Sequence, residues 1–438
     1  KYGSLKQENN YGQVVENYAN GLPAMKAECR VAVTIPAYLE GKNIYHTLEE
    51  WYKQKDNHGN QLNHNLYEID VIVNGPAGYT HDNTQEEIER FKQNHTDLVI
   101  NIINTEIPQR GGNVGLARKI ITDTTLRRSI QRQNQTGSLY IESEDADLME
   151  IDEQAIFRLI NKYDQNPHLD GLRGKQDLSP RILMENDYLF FDRRIDRLTE
   201  YLFRDSRLRP EVNDSFDFYW NRITTGGWNT SFTAEAYALI GGYEPVPVGE
   251  DMGIGRRISI MRAQQTADGK IVPNMNTVDT VHNVGQSNPR RFIHALIKKI
   301  GPYSNFTDEQ VNREIRNMTL DEMMVQLNHG KRVDSTNLNL FEDRCSLART
   351  YIYGTVADPV LAEKLFTRIM TAMGFSKFKK TVVSGTETTI GGSLEQKGPD
   401  ANEWKLDYHV EPSGKVKIDH YGNVAKALES YRQRNQTP

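Results

Sequence analysis

Short apolar runs alternate with segments of helical spacing over the first 165 residues of the chain. The apolar runs are rich in β-branched residues and end at Pro, Gly or acidic residues, which predicts buried strands. These predicted strands are VAVTIPAY (31–38), YEIDVIVN (67–74), LVINIINT (98–105) and SLYIES (138–143). Helices are predicted between and after them, over 43–55, 84–94, 114–133 and 152–163.

This alternation predicts an α/β fold, with a mostly parallel sheet that helices cover on both faces. Sheets of this kind bind ligands beyond the carboxyl ends of their strands. The fourth predicted strand runs directly into four carboxylates within six residues, namely Glu142, Glu144, Asp145 and Asp147. We therefore expect these acids to lie where a ligand binds.

The pattern changes in the second half of the chain. A Gly-rich segment is followed by a short predicted helix from about residue 233 and another from about 251 to 265. Beyond residue 303, the sequence predicts helices over 307–328 and 338–374, a Thr- and Gly-rich loop or linker over 379–400, a β-hairpin over 403–421 and a last helix over 423–434. We divide the chain into an N-terminal arm (1–29), an α/β domain (30–302) and a mainly helical C-terminal extension (303–438).

Composition narrows the classes of function. A chain of 438 residues exceeds what one hydrophobic core usually holds, and its net charge of -6 gives no support for a nucleic-acid partner. It has no apolar run of about 18 residues and no signal-peptide core at its start, so we expect a cytoplasmic protein, with peripheral membrane contact by the basic helix at 289–300 as an alternative. Two cysteines are too few for a disulfide framework or a cysteine zinc site.

The acids after the fourth strand have a chemical explanation. Crowded carboxylates repel one another unless a cation neutralises them. Asp145 and Asp147 can both approach one divalent ion if the backbone turns there, and carboxylate oxygens favour magnesium, manganese or calcium. The tripeptide alone also fits a solvated loop, but the buried strand before it favours a metal site.

A second acidic pair, Glu250 and Asp251, begins the helix predicted near residue 251. Acids at this position complement the helix dipole and cap free N–H groups. Arg256 and Arg257 follow at a spacing that allows pairing with these acids on the helix surface. This structural interpretation stays open beside a catalytic one.

Five segments together resemble the family 2 glycosyltransferases, which have the GT-A fold. The segments are VAVTIPAYLEGKNI (31–44), NVGLARKI (113–120), IESEDADL (141–148), GGWNTSFTAEAYALIGGYEPV (226–246) and VGEDMGIGRRI (248–258). They are similar to the family's nucleotide loop, Ala-Arg helix start, Asp-x-Asp motif, acceptor-side Gly segment and Glu-Asp helix start. Their order and spacing match over about residues 30 to 300.

The resemblance implies a hexosyltransferase-like enzyme of carbohydrate biosynthesis. Its donor would be a nucleotide-diphosphate sugar, its acceptor a hydroxyl of a saccharide or small molecule, and its cofactor Mn²⁺ or Mg²⁺. Asp147 would be the metal ligand with Asp145 nearer the ribose, and His282 would be a further ligand. Asp251 would be the general base of a reaction that inverts the anomeric centre, and Glu250 would support Asp251.

The resemblance also implies the binding residues around this centre. The nucleotide side would be formed by Pro36, Ala37, Tyr38, Glu40, Asn74 and Arg118, and the acceptor side by Gly227, Trp228 and Asn229. Asn74 stands where many family members have Asp, which leaves the base open. Arg118 would lie near the phosphates.

Three alternatives stay open at this point. The first is a retaining transferase of similar fold that makes a small glycoside of the sugar-glycerate type. The second is a nucleotidyltransferase, although PAYLEGKN lacks the Gly-rich basic loop which that class has after its first strand. The third is a carbohydrate-binding protein without turnover, which the presence of both Asp147 and Asp251 disfavours. The sugar, the role of residues 303–438 and homo-oligomer formation stay open.

Overall fold

The structure is a computed structural model of the whole chain. It describes residues 8–75, 82–107, 113–132, 138–178, 194–195, 198–199, 227–246, 249–261, 263–265, 267, 269, 271–272, 278–287, 322, 338–356, 358–383, 386–396 and 404–422. The chain forms two compact units, the first from Lys1–Asp177 and Ile223–Asn288, the second from Leu178–Arg222 and Pro289–Pro438. The domain boundaries expected at 29/30 and 302/303 stay a prediction.

Four parallel strands form the first half of an eight-stranded sheet in the first unit. They are β1 (Val31–Ala37), β2 (Tyr67–Gly75), β3 (Val99–Glu106) and β4 (Tyr140–Ser143), in the order β3-β2-β1-β4. All nine residues of β2 are buried. Strands covered on both faces need continuous apolar runs, which is why these segments are so apolar. The predicted α/β class is confirmed.

Helices cover both faces of this parallel half. They are α1 (Glu8–Gly21), α2 (Ile44–Tyr52), α3 (Thr84–Asn94), α4 (Val114–Gln131) and α5 (Ala155–Gln165). Val71 and Ile72 are adjacent in β2 yet belong to different core clusters, because successive side chains point to opposite faces of a sheet. α4 begins after Asn113, whose side chain accepts a hydrogen bond from the Leu116 N–H at 2.9 Å.

For the second half of the sheet, the sequence predicts only that 270–287 holds two short strands, which are Ile271–Val272 and Val278–Ser287 in the structure. This half contains β5 (Leu148–Ile151), β6 (Gly171–Leu178), β7 (Thr230–Thr233) and β10 (Val278–Ser287), and continues the order as β4-β7-β6-β10-β5. The pairs β4–β7, β6–β7 and β10–β5 are antiparallel. Two short helices, α6 (Ala234–Leu239) and α7 (Glu250–Met261), and a two-stranded ribbon, β8 (Gln264–Gln265) with β9 (Ile271–Val272), complete the described part of this unit.

A buried charge cluster fastens the end of α4 to β2. Arg128 Nη1 lies 2.5 Å from Glu68 Oε1 and 3.3 Å from Asp70 Oδ1. Asp70 also accepts hydrogen bonds from Asn101, at 2.7 Å, and from Thr125. Burial and the neighbouring Asp70 raise the pKa of Glu68 to about 7, although Arg128 opposes the shift. These contacts fix α4 against the sheet.

The second unit contains α8 (Leu338–Thr355), α9 (Pro359–Ala372) and a four-stranded antiparallel sheet. The single helix predicted over 338–374 is therefore wrong, since the chain leaves the helix before Pro359. Proline cannot continue a helix but suits the first turn of the next one. Asp358 caps that turn, because its Oδ1 accepts a hydrogen bond from the Val360 N–H at 2.9 Å.

The loop or linker predicted over 379–400 is also wrong. Its place is taken by β11 (Ser376–Val383) and β12 (Thr386–Gln396), which pair in the order β11-β12-β13-β14 with β13 (Trp404–Val410) and β14 (Val416–Tyr421). Threonine suits strands, and the glycines serve close packing: a Cβ on Gly391 would lie 2.6 Å from the Tyr408 carbonyl oxygen. The β13–β14 pair confirms the predicted hairpin, and the helix predicted over 423–434 lies outside the described residues.

No helix in the described part of the chain is both long and apolar enough to cross a membrane.

Candidate active site

The acids that follow β4 lie at the carboxyl edge of the parallel strands. β4 pairs with β1 up to the register Thr34↔Ser143, and the Glu144 N–H extends the ladder by donating to the Thr34 carbonyl oxygen at 3.1 Å. The strand then ends, and Asp145 and Asp147 follow before β5 begins at Leu148. The sheet edge therefore presents these carboxylates where α/β folds bind ligands.

Arg118, in the second turn of α4, reaches these acids from the neighbouring helix. Its side chain is only 3% exposed. Nη2 donates to Asp145 Oδ1 at 2.5 Å, and Nη1 donates to Ser143 Oγ at 2.5 Å and to the Glu144 carbonyl oxygen at 3.3 Å. Both terminal nitrogens of the guanidinium are thus engaged at the end of β4.

The second acidic pair reaches the same guanidinium. Glu250 and Asp251 form the first turn of α7, directly after Gly249, whose φ of 86° glycine adopts readily. Glu250 Oε1 lies 3.3 Å from Arg118 Nε, an ion-pair distance without the geometry of a hydrogen bond. A Cβ built on Gly227 would lie 3.2 Å from Arg118 Nη2 and 3.4 Å from Asp251 Oδ2. The Asp251 carboxylate and the guanidinium that binds Asp145 therefore both lie against Gly227.

The charges around Arg118 shift its pKa and that of Glu250. Burial by itself lowers the pKa of Arg118, but the negative charges of its neighbours, led by Asp145, outweigh burial and hold that pKa above its usual value. Burial raises the pKa of Glu250, and the attraction to Arg118 offsets this only in part. Arg118 therefore stays charged and supplies the positive charge among these acids.

Ser143 links three segments of the site through one hydroxyl. Its Oγ accepts hydrogen bonds from Arg118 Nη1 and from the Tyr243 hydroxyl, the latter at 2.9 Å, and donates to the Gly227 carbonyl oxygen at 3.0 Å. One donor and two acceptor positions are all that a serine hydroxyl offers. Burial raises the pKa of Tyr243 to about 12, so its hydroxyl stays a donor. The sequence assigned no role to Ser143 or Tyr243, although both lie inside the quoted motifs.

Glu142 and Glu144 are 3% and 0% exposed, and burial acts on both carboxyl groups. Burial raises the pKa of Glu142 to about 8 and holds the pKa of Glu144 well above its usual value. Glu142 Oε1 and Glu144 Oε2 have no hydrogen-bond partner in the described structure, whereas Glu144 Oε1 accepts from the Asp145 N–H at 2.8 Å. Carboxyls that keep their protons do not repel their neighbours. Burial and Arg118 thus explain how four acids coexist here.

The predicted metal ligands Asp145 and Asp147 lie between β4 and β5, and His282 lies in β10. Within the described ranges, no three His, Cys, Asp or Glu side chains form a group that could hold a metal. Asp145 is bound to Arg118, Asp147 is 6% exposed, and the His282 backbone lies in β10 while its side chain is outside the description. Divalent ions at phosphate-transfer sites are often held by one or two carboxylates and completed by substrate phosphates. The residues present fit a site of that kind.

The predicted nucleotide-side residues lie at the end of β1 and directly after it. The side chain of Asn74, at the end of β2, donates to the Ala37 carbonyl oxygen at 3.1 Å. Leu39 has a φ of 61°, a conformation that non-glycine residues adopt rarely, and the Glu40 N–H donates to Thr84 Oγ1 at 2.9 Å. Asn74 therefore links the end of β2 to the end of β1, and its contact with a base stays a prediction.

The predicted acceptor-side residues are packed closely. Asn229 is buried, has a φ of 47° and donates from Nδ2 to the Lys175 carbonyl oxygen at 3.0 Å. A Cβ on Gly174 would lie 2.0 Å from Asn229 Oδ1, and one on Gly285 would lie 2.7 Å from Trp228 Cζ3. Two glycines that the sequence analysis did not single out thus make room for these side chains. Contact of Trp228 or Asn229 with an acceptor stays a prediction.

A surface cavity lies at the opposite edge of the sheet, where the parallel strands begin. Its lining includes Arg30, Tyr140 and Asp164, and the ion pair of Arg30 with Asp164 spans 2.6 Å. The acids described above do not line this cavity. We therefore place the candidate chemistry at the carboxyl edge, and Asp164 lies at the opposite edge.

Comparison with known proteins returned solved structures alone. No protein-family model matches the chain, and no curated protein matches its sequence. Among the similar structures is the mannosyltransferase PcManGT from Pyrobaculum calidifontis in complex with GDP-Man and Mn²⁺, with 16% identity and a TM-score of 0.36 over 84% of this chain and 90% of that one.

Two further structures are similar at the same level. S. aureus TarS is 10% identical with a TM-score of 0.39, and the match covers 90% of this chain but 65% of TarS. Glucosyl-3-phosphoglycerate synthase from Mycobacterium tuberculosis, in complex with Mn²⁺, UDP-glucose and phosphoglyceric acid, is 12% identical with a TM-score of 0.32 over 73% of this chain and 86% of that one. At these TM-scores the three structures are too distant to assign a function to this chain.

Proposed function

We propose that the chain is a metal-dependent glycosyltransferase, which moves a sugar from a nucleotide-diphosphate sugar to a hydroxyl acceptor with inversion. One observation carries the proposal. Asp145, after β4, and Asp251, in the first turn of α7, come to one guanidinium beside the Gly227 turn. Two carboxylates from separate segments that meet at the ligand-binding edge of an α/β sheet suit a reaction with a donor side and an acceptor side.

Asp251 is the proposed general base. A sugar hydroxyl is a weak nucleophile, and a carboxylate beside it takes the proton as the oxygen attacks the anomeric carbon. The bond from that carbon to the diphosphate oxygen breaks at the same time, so attack from the opposite face inverts the centre. Glu250 pairs with Arg118 and keeps the first turn of α7 beside the guanidinium.

Asp147 and Asp145 are the proposed contacts for the divalent ion, with His282 as a further candidate. A bound divalent ion would neutralise the negative charge that grows on the departing diphosphate. Because Asp147 is buried, few water molecules can compete with the ion for its carboxylate. The end of β1 and the residues directly after it, from Pro36 to Glu40, and Asn74 would enclose the nucleoside.

The test of this function begins with binding. A ligand that binds the folded state stabilises it by about 2.7 kcal/mol at a hundredfold excess over its dissociation constant. We expect one nucleoside diphosphate, with Mn²⁺, to raise the melting temperature of the full chain more than the others, which would identify the base.

Turnover is the second part of the test. With that nucleotide's sugar conjugates and Mn²⁺, the protein should release nucleoside diphosphate, and Asp147→Ala should abolish the release. Asp164→Asn, an acid at the opposite sheet edge, is the matched control and should keep wild-type turnover. Release that survives Asp147→Ala would contradict the proposed metal contact. The anomeric configuration of the product separates inversion from the retaining alternative.

A further inference from the structure

Arg118 contacts more groups of the candidate site than any other side chain described above. The resemblance to the family implies that it lies near the phosphates. We propose instead that Arg118 is a built-in counter-ion, a positioning residue that holds the donor-side acid Asp145 against the acceptor-side acids Glu250 and Asp251. This inference deepens the proposed function, on which the terms donor side and acceptor side rest. It follows from the burial, the contacts and the charges of the guanidinium.

The contacts of Arg118 are made within the protein. Its side chain is 3% exposed, and its terminal nitrogens donate to Asp145, Ser143 and the Glu144 carbonyl oxygen. A diphosphate would have to displace these partners to reach the guanidinium. Because the planar fork of arginine fixes the direction of each bond, it also fixes where Asp145 lies after the end of β4.

The negative charges of the site need a positive charge to offset them, and Arg118 supplies it. Asp145 binds Arg118 Nη2, Glu250 Oε1 lies 3.3 Å from Arg118 Nε, and Asp251 lies with the guanidinium against Gly227, so three carboxyl groups lie near one positive charge. Carboxylates this close repel one another, and the repulsion is strong in a site that excludes water. Arg118 offsets it, which allows the loop after β4 and the start of α7 to approach before any ligand binds.

The hydroxyl of Ser143 extends this arrangement to the acceptor side. Arg118 and Tyr243 both donate to Ser143 Oγ, which donates to the Gly227 carbonyl oxygen. The Gly227 turn lies against Arg118 Nη2 and Asp251 Oδ2, where a Cβ would be 3.2 and 3.4 Å from them. One side chain of α4 thus sets the spacing of the loop after β4, the Gly227 turn and α7.

Removing a counter-ion changes the affinity of the site for Mn²⁺ differently from removing a phosphate-binding residue. Without the charge of Arg118, the acids are left uncompensated, and Mn²⁺ alone should bind more tightly. A guanidinium that only contacted the diphosphate would leave the affinity for Mn²⁺ alone unchanged and weaken nucleotide binding.

The experiment is calorimetric titration of the full chain with Mn²⁺ in the absence of nucleotide. We expect Arg118→Met to bind Mn²⁺ about tenfold more tightly than the wild type, because a unit charge near the metal is lost. Arg118→Lys restores the charge and should return the affinity to the wild-type value. Arg128→Met is the matched control, since it removes a second buried arginine of α4 that pairs with β2, and it should leave Mn²⁺ affinity unchanged.

Wild-type or weaker Mn²⁺ affinity in Arg118→Met would overturn the proposal. Should that variant not fold, Arg118→Met/Asp145→Asn, which removes one charge of each sign, is expected to recover the fold. Failure of the double variant to fold would overturn the proposal as well. No part of this experiment uses a sugar donor. If the wild-type protein transferred no sugar, the proposed function would be contradicted, but the Mn²⁺ titration would still test the role of Arg118.

Discussion

α4 carries a buried arginine near each of its ends, and their partners differ in kind. Arg118 and Arg128 have side chains that are 3% and 1% exposed, and each binds more than one carboxyl group. The partners of Arg128 are Glu68 and Asp70, two residues apart on one strand. The partners of Arg118 are Asp145, in the loop after β4, and Glu250, the first residue of α7.

The backbone around the two arginines explains the difference. Residues two apart on a strand point to the same face, and β2 is held by ladders on both sides, so Glu68 and Asp70 are fixed before Arg128 meets them. Asp145 lies outside any strand, and Glu250 begins a helix after a glycine turn. Their spacing depends on the side chain that joins them.

The comparison teaches how to separate a stabilising charge cluster from a ligand site. A pair fixed by regular secondary structure contributes to stability. A pair that joins loops at the carboxyl edge of a sheet arranges groups whose positions matter to a ligand. The two ends of α4 should therefore respond differently to the same substitution.

Arg128→Met should lower the free energy of unfolding more than Arg118→Met does. It leaves Glu68 and Asp70 buried without their cation, and breaking a buried pair in this way typically costs about 3–5 kcal/mol. We expect the free energy of unfolding in urea to fall by about that amount, with no recovery when Mn²⁺ is added, because no divalent site lies at this end of α4 in our account.

The control for Arg128→Met is Arg90→Met on α3. Arg90 is 58% exposed and pairs with Glu87 on the helix surface. Exposed pairs contribute at most about 1 kcal/mol. Equal losses in the two variants would contradict a structural role for the Arg128 cluster.

Glu142→Gln should have a smaller effect that depends on pH. Burial raises the pKa of Glu142 from 4.5 to about 8, so the folded state keeps a proton that the unfolded chain releases. The free energy of unfolding of the wild type therefore falls as pH rises from about 4.5 to about 8 and then levels off. Glutamine cannot ionise, so the variant should lose less stability over this range, by about 1.4 kcal/mol for each pH unit.

The measurement is urea unfolding of both proteins at intervals from pH 5 to pH 9. Glu144, whose pKa is also raised by burial, is present in both, so the difference isolates Glu142. Glu153→Gln, at an exposed acid paired with Lys55, should run parallel to the wild type. A difference between wild type and Glu142→Gln that stays constant with pH would contradict a buried, protonated Glu142.

The parallel half of the sheet could be predicted from the sequence because its strands are continuous apolar runs that end at recognisable residues. The same reasoning predicted that the acids after β4 would lie at the carboxyl edge. Asp251 could be placed opposite them only through the resemblance to a family, since residues so far apart in sequence carry no local signal of contact.

The parts that were missed have physical reasons. β5 has four residues, LMEI, too few for an alternating pattern to show. The sequence predicts a loop or linker in place of β11 and β12 because glycine usually marks loops, whereas Gly391 and Gly392 here let Tyr408 and Phe378 pack closely. The role of Arg118 as a shared partner depends on burial, which no spacing of residues reveals.

The central claim is that Asp145 and Asp251 belong to one site that transfers sugars. Its most direct test is the rate at which the Asp251→Asn variant releases nucleoside diphosphate from its sugar donor in the presence of Mn²⁺. We expect a rate about 10²- to 10⁴-fold below that of the wild type, the usual contribution of a general base, with an unchanged melting temperature and with Asp164→Asn at the wild-type rate. Wild-type turnover by Asp251→Asn would contradict the account.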